Sequence, residues 1–248
     1  MSKGKDLAKN TVIVSIGKIC TQLITFFLLP VYTAVLTNEE YGVVDLLNTL
    51  TSLLLPIVTL QIEQGVFRYL LDCRENKEQQ TTLITTVLKF ILIQSVICML
   101  IFLCASPFIH NDYKYFLMAN LLMGILSSVF LQICRGLGDN KTYAVGSFIT
   151  GALTVILNVI FIVVFKWGAY GMLIATAISN LLCSIYIFEK KKIDKYIDIK
   201  QNDKNLLKDI VKYSVPLIPN IISWWIVSAS DRTIISVVIG VAQNGIYS

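Results

Sequence analysis

Apolar runs of about 20 residues recur along this chain between short polar breaks, and this pattern limits its fold more than any other feature. A helix of that length spans the roughly 30 Å hydrocarbon core of a bilayer, and it satisfies its own backbone there. Seven spans are read: residues 11–36, 42–71, 82–106, 115–134, 142–165, 169–188 and 213–240. The breaks are TNEEY, DCRENKEQQ, SPFIHNDY, RGLGDNK and KWGAY, and a 24-residue lysine-rich linker occupies 189–212. Charged residues make up 15% of the chain, against roughly 25% in a soluble domain. Hydrophobic residues make up 55%, and mean hydropathy is +0.70. So few charges cannot cover a soluble surface, which excludes disorder, a collagen, a secreted disulfide scaffold and most soluble enzymes. The first span carries Lys18 and lacks a small-residue cleavage site, so it reads as retained rather than as a signal peptide. The fold class expected is an all-α polytopic membrane protein.

Lys and Arg placement orients the spans. With the N-terminus inside, the inner segments hold 16 of the 21 basic residues and the outer loops hold two, Lys114 and Lys166. The remaining three, Lys18, Lys89 and Arg232, lie within spans. The net charge of +5 is therefore a topology signal and a contact for anionic lipid, not evidence for nucleic acid.

Residues 7–42 align without a gap on residues 210–245, with identities at Lys9/Lys212, Val12/Val215, Ile19/Ile222, Val35/Val238 and Gly42/Gly245. Five identities in 36 positions are close to chance for apolar helices. The offset of 203 residues contains six spans, however, and an even number restores direction, as parallel repeats require. The expected organisation is an N-terminal six-helix lobe at 1–188, a cytoplasmic inter-lobe linker at 189–212, and the first span of an incomplete second lobe at 213–248. The chain is thus expected to be the first part of a longer one. The linker is expected to lie on the inner membrane surface with Ile193, Ile197, Leu206, Leu207 and Ile210 toward lipid, or else to be a solvated loop.

Polar residues inside spans carry the functional signal. At 100° per residue, the second span sets Asp45, Asn48, Thr49, Ser52, Pro56, Thr59 and Glu63 on one face. The first span aligns Thr11, Ser15, Lys18, Thr21, Gln22, Thr25, Tyr32 and Thr33, and the fifth aligns Tyr143, Ser147, Thr150, Gly151, Thr154 and Asn158. Asn220, Ser223 and Asp231 align on the seventh. A single hydroxyl is explained by helix packing. Two carboxylates with neutral polar groups on one face need water or partners, so a shared wet cavity is expected. Lys18 and Lys89 also fit snorkelling to the inner interface, and Arg68 and Glu63 fit structural ion pairing. Trp224 and Trp225 fit either an interfacial belt or stacking on a sugar ring.

The six cysteines form no CxxC pair, and His110 is the sole histidine, so no metal site or Ser-His-Asp triad is expected. RGLGDNKT does not fit the phosphate-loop pattern and follows no strand. No catalytic residues and no cofactor are expected, and the chain does not read as an enzyme.

Three stretches, KNTVIVSIGKICTQLITFFLLPVYTAVLTNEEYGVVDLL, CRGLGDNKTYAV and YSVPLIPNIISWWIVSASDRTIISVVIGVAQNGIYS, resemble Wzx-type oligosaccharide flippases, the polysaccharide biosynthesis proteins of the multidrug/oligosaccharidyl-lipid/polysaccharide (MOP) exporter superfamily. The resemblance implies two six-helix lobes around a central cavity, in a bacterial cytoplasmic membrane with the N-terminus cytoplasmic. It implies movement of a polyprenyl-diphosphate-linked oligosaccharide from the inner to the outer leaflet by alternating access. The partners would be that lipid-linked substrate, membrane lipids, and a polysaccharide polymerase with its chain-length regulator. The substrate path would use Lys18, Arg68, Arg232, Gln22, Asn158 and Trp224, with Lys89 and Arg135 behind them. Asp45, Glu63 and Asp231 are the carboxylates for a coupling ion. The alternatives are a drug or metabolite cation antiporter of the same superfamily, a membrane-embedded glycan polymerase or transferase, and a non-transporting scaffold.

Overall fold

The computed structural model describes residues 30, 32, 34–198 and 200–247, and the architecture is helical throughout these residues. Most of the first expected span, including Lys18 and Gln22, lies outside the described residues. Among the described residues the α-helices are α1 Asn38–Thr59, α2 Ile62–Asp72, α3 Lys77–Ala105, α4 Lys114–Gly136, α5 Asn140–Val159, α6 Gly168–Lys191, α7 Lys204–Ser214, α8 Ile218–Val238 and α9 Val241–Tyr247. Among the described residues, six helical stretches are long and apolar enough to cross a membrane.

Helix starts follow from capping. Thr37 and Glu40 form a capping box at α1, each satisfying the other's backbone N–H. Asn76 caps α3, and Asp139 accepts the Thr142 N–H at the start of α5. A π turn at Ile160–Val164 ends the fifth span, and Phe165 N–H bonds back to Ile160.

The expected second span is corrected: it is two helices, not one. Leu60 and Gln61 both adopt positive φ (53° and 56°), ending α1 and starting α2. The end of α1 is closed by two paired bonds of the Schellman type, Leu60 N–H to the Ile57 carbonyl and Gln61 N–H to the Pro56 carbonyl, and Gln61 N–H also reaches the Thr59 hydroxyl. The other expected spans match α3, α4, α5, α6 and α8 to within a few residues.

The main core lies where α2, α3 and α4 meet. Ile62, Val66, Leu70, Leu83, Ile84, Val87, Val129 and Ile133 are fully buried there. Apolar side chains of the linker join this core, which corrects the expectation that they face lipid. Ile193 and Ile210 are fully buried, and Leu206 and Leu207 pack against the core rather than facing lipid, although Ile197 is exposed. Polar side chains at the start of α3 hold the linker down. The Thr85 hydroxyl donates to the Tyr196 carbonyl and accepts from Asp198 N–H, and Thr86 accepts from Asp203 N–H. Three backbone groups of an irregular segment thus find partners, which is the condition for packing it against the core.

Asp139 also ties α5 to the end of α6, through a 2.7 Å ion pair with Lys191. Partial burial works against its charge, but the Lys191 ammonium and the Thr142 N–H and hydroxyl outweigh that and hold the carboxyl down at about 2. A depressed carboxyl stabilises fully above its ordinary value and loses that effect as pH falls through about 2. Asp139→Asn keeps the helix cap, so it should lower the melting temperature at pH 7 and erase this difference near pH 2, measured by thermal unfolding in detergent.

Candidate functional site

In the half of the bundle opposite the lysine-rich linker, α1, α5 and α6 enclose a cleft of about 270 Å³. Its walls include Tyr32, Asp45, Asn48, Thr154, Asn158 and Thr176. Asn158 is 3% exposed, and its amide donates to the Tyr32 hydroxyl at 2.7 Å. Its carbonyl oxygen is buried without a hydrogen-bond partner among the described residues. Buried polar atoms in that state favour a ligand or water. Tyr32 stacks obliquely beside Tyr41 at 6.4 Å between ring centroids.

The hydroxyl stripe on α5 is only partly a sign of water. Thr150 and Thr154 each donate to the carbonyl four residues earlier, and Thr176 does the same on α6. Their protons are satisfied within their own helices, which leaves lone pairs as the groups presented to the cleft.

Asp45 connects this cleft to α8 and α9. Its carboxylate takes a 2.7 Å ion pair from Arg232 and a 3.2 Å hydrogen bond from the Asn244 amide. Asn244 also donates to the Gly42 carbonyl. Nearby, Trp225 Nε1 donates to the Thr49 carbonyl. The same end of α1 crosses α9 at two glycines. A methyl group on Gly42 would run into the Val241 carbonyl and lie 3.0 Å from Gly245 N. A methyl group on Gly245 would run into the Asn38 carbonyl and lie 3.0 Å from Gly42 N. Asn38 and Val241 are separated by the repeat offset of 203, as are Gly42 and Gly245. The contact is therefore reciprocal between repeat-related positions, the signature of a two-fold relation.

The other sequence-chosen residues sit apart from the cleft. Arg68 is about half exposed and pairs with Asp72 at 2.7 Å one helical turn on. Glu63 lies beyond the helix break, 4% exposed, with one carboxyl oxygen lacking a hydrogen bond among the described residues. The Asp231 carboxyl accepts the Arg232 N–H. Trp224 is 68% exposed, and its neighbour Trp225 is the indole that reaches α1. Lys89 reaches the Gln201 carbonyl, and Arg135 lies over the Phe67 ring at 4.3 Å and the Tyr143 ring at 5.9 Å. Tyr41, Thr176 and Asn244 belong to the site but were not singled out by the sequence. Asn244 adjoins the repeat glycine Gly245, which was its one available signal.

Residues 7–248 match the family model described as "Polysaccharide biosynthesis protein". No curated protein matches the chain. Among solved structures, it resembles the outward-facing conformation of a multidrug resistance MATE family transporter of the MOP superfamily, with 18% identity and a TM-score of 0.68, over 87% of this chain and 53% of that one. The inward-facing conformation gives the same identity and TM-score, over 87% and 54%. A MATE structure in the straight conformation gives a TM-score of 0.70 at 16% identity, over 96% and 57%. The chain spans about half the length of these structures. At such identities the likeness establishes the fold, an all-α membrane bundle of the MATE type. The half seen here fits the two opposed conformations equally well.

Proposed function

The chain belongs to the polysaccharide biosynthesis protein family, and from that premise we propose that the full-length protein moves a polyprenyl-diphosphate-linked oligosaccharide between leaflets by alternating access. The observation that carries this reading is the polar cleft between α1, α5 and α6, with the Asn158 carbonyl buried and unbonded among the described residues. Sugar hydroxyls are both donors and acceptors. The Asn158 carbonyl, the threonine lone pairs and the tyrosine hydroxyls match them, while the lipid tail stays in the bilayer.

In this reading residues 1–188 form the first lobe, 189–212 the cytoplasmic linker and 213–248 the opening of the second lobe, with the N-terminus inside a bacterial cytoplasmic membrane. The diphosphate needs cations. Arg232 and Arg68 already hold carboxylates, so they meet it by exchanging partners, whereas Arg135 holds aromatic rings and offers an undivided charge. Lys18 and Gln22 complete the path from the first span. Of the carboxylates, Glu63 is best suited to carry a coupling proton or cation, because it is buried with an unbonded oxygen beside a helix break. Glu63→Gln should then uncouple transport from the ion gradient while leaving substrate binding intact, read by comparing transport with and without the gradient.

A drug or metabolite cation antiporter is the second reading. It is favoured by the cleft's volume, just below the roughly 300–1,000 Å³ of drug-sized pockets. Binding of lipid-linked sugar to the purified full-length protein separates the two. Asn158→Ala and Thr154→Val should weaken sugar binding about tenfold each, a loss of about 1.4 kcal/mol. Unchanged sugar binding together with weakened binding of an organic cation would favour the antiporter.

A further inference from the structure

A second cavity lies on the opposite side of α1. The groove, of about 380 Å³, runs between α1, α3 and α4, and its walls are almost wholly apolar, with Leu50, Leu54, Val58, Phe102 and Met118 among them. From Leu46 to Val58 it follows α1 for about 18 Å at 1.5 Å per residue, close to the ~15 Å depth of one leaflet's hydrocarbon. The rim residue Ile101 is 64% exposed on a face of α3 that is apolar and open for several turns.

At its end farthest from the lysine-rich linker, the groove meets a polar cup of about 470 Å³. Ile109, Asn111 and Lys114 line both cavities, so the two are contiguous. The cup adds His110, Asp112 and Tyr115. Lys114 donates to the Ser106 and Ile109 carbonyls at 2.7 and 2.9 Å. An ammonium carries three N–H donors, and neutral carbonyls do not cancel its charge. No carboxylate among the described residues lies within ion-pair distance of it.

We propose that this groove and cup form a binding site for one membrane phospholipid, with an acyl chain along α1 and the phosphate at Lys114, in the leaflet opposite the lysine-rich linker. Asp112 in the same cup complements an amine, so the headgroup is zwitterionic, of the phosphatidylethanolamine class. Each feature has a separate physical warrant. The groove's length suits a leaflet, its lining suits a chain, and the cup supplies one cation and one anion where the headgroup would sit. The site is distinct from the polar cleft and does not depend on the transport reading.

The test is titration of delipidated full-length protein with phosphatidylethanolamine, followed by native mass spectrometry. Diacylglycerol, which has the chains but no phosphate, is the comparison. The wild type should bind the phospholipid at least about tenfold more tightly than diacylglycerol. Leu50→Trp fills the groove and should weaken phospholipid binding by about tenfold or more, and Lys114→Gln should remove the preference over diacylglycerol. If Leu50→Trp does not fold, Ile101→Trp at the exposed rim takes its place and should have the same effect. Equal binding of the two lipids by the wild type would overturn the proposal. So would undiminished binding in a folded groove-filling variant, the result expected if a later part of the protein covers the groove.

Discussion

Alanine at Gly42 or at Gly245 is expected to force α1 and α9 apart and to stop transport. Each added methyl group meets a backbone carbonyl, Val241 in one case and Asn38 in the other, and a carbonyl cannot swing aside as a side-chain end can. Overpacking of this kind costs about 1–3 kcal/mol when side chains can adjust, and here the helices themselves must move. Because the contact is reciprocal, the two single variants should behave alike. Under the transport proposal, this crossing holds the far ends of the two repeats together and must separate for the headgroup to leave on that side. Cysteines at Asn38 and Val241 report the separation by cross-linking. Efficient cross-linking in the parent, lost in either alanine variant along with transport, is the expected pattern. Unchanged cross-linking and transport in the doubly substituted protein would show that the crossing has no such role.

Loss of Asp45 or Arg232 is the second large effect. Removing one partner of a buried ion pair costs about 3–5 kcal/mol, because the other is left charged and unpaired. The Arg232 side chain is 38% exposed and that of Asp45 is 13%, so this partly buried pair falls below that range, at about 1–3 kcal/mol. Asp45→Asn also alters the bond from Asn244, which joins α9 to the same carboxylate. A double-mutant cycle with Asp45→Asn and Arg232→Gln should give a coupling of about 1–3 kcal/mol in thermal or denaturant unfolding. The reversed pair, Asp45→Arg with Arg232→Asp, should recover part of the stability lost by either reversal alone. Strict additivity of the two single variants would mean that the pair does not hold α1 to α8.

Some of this was legible in the amino-acid sequence, and the reasons differ by element. Helices α4, α5 and α6 are apolar runs bracketed by polar breaks, and Asp139 caps α5 in the manner its position suggests. The break at Leu60–Gln61 was hidden, because neither residue is the glycine or asparagine that positive φ usually selects, and Pro56 was the only nearby hint. That break divides the polar face read across the second span. Asp45 and Asn48 reach the cleft, while Glu63 is buried separately in α2. The linker misled because its lysines dominate its composition, whereas Ile193 and Ile210 are buried in a core built by residues more than 100 positions earlier, such as Ile62 and Leu83. Which of two adjacent tryptophans faces α1 depends on the rotation of α8, which periodicity in so uniformly apolar a helix does not fix. The repeat offset, weak as an alignment, reappears as the geometry of the glycine crossing.

Under the proposed function, the polar cleft serves a lipid-linked sugar crossing the bilayer. The most direct test is transbilayer movement of a fluorescent polyprenyl-diphosphate sugar in vesicles containing the full-length protein. Movement should depend on the protein and fall at least about tenfold with Asn158→Ala, a barrier increase of about 1.4 kcal/mol. Movement no faster than in protein-free vesicles, or movement unaffected by that substitution, would contradict it.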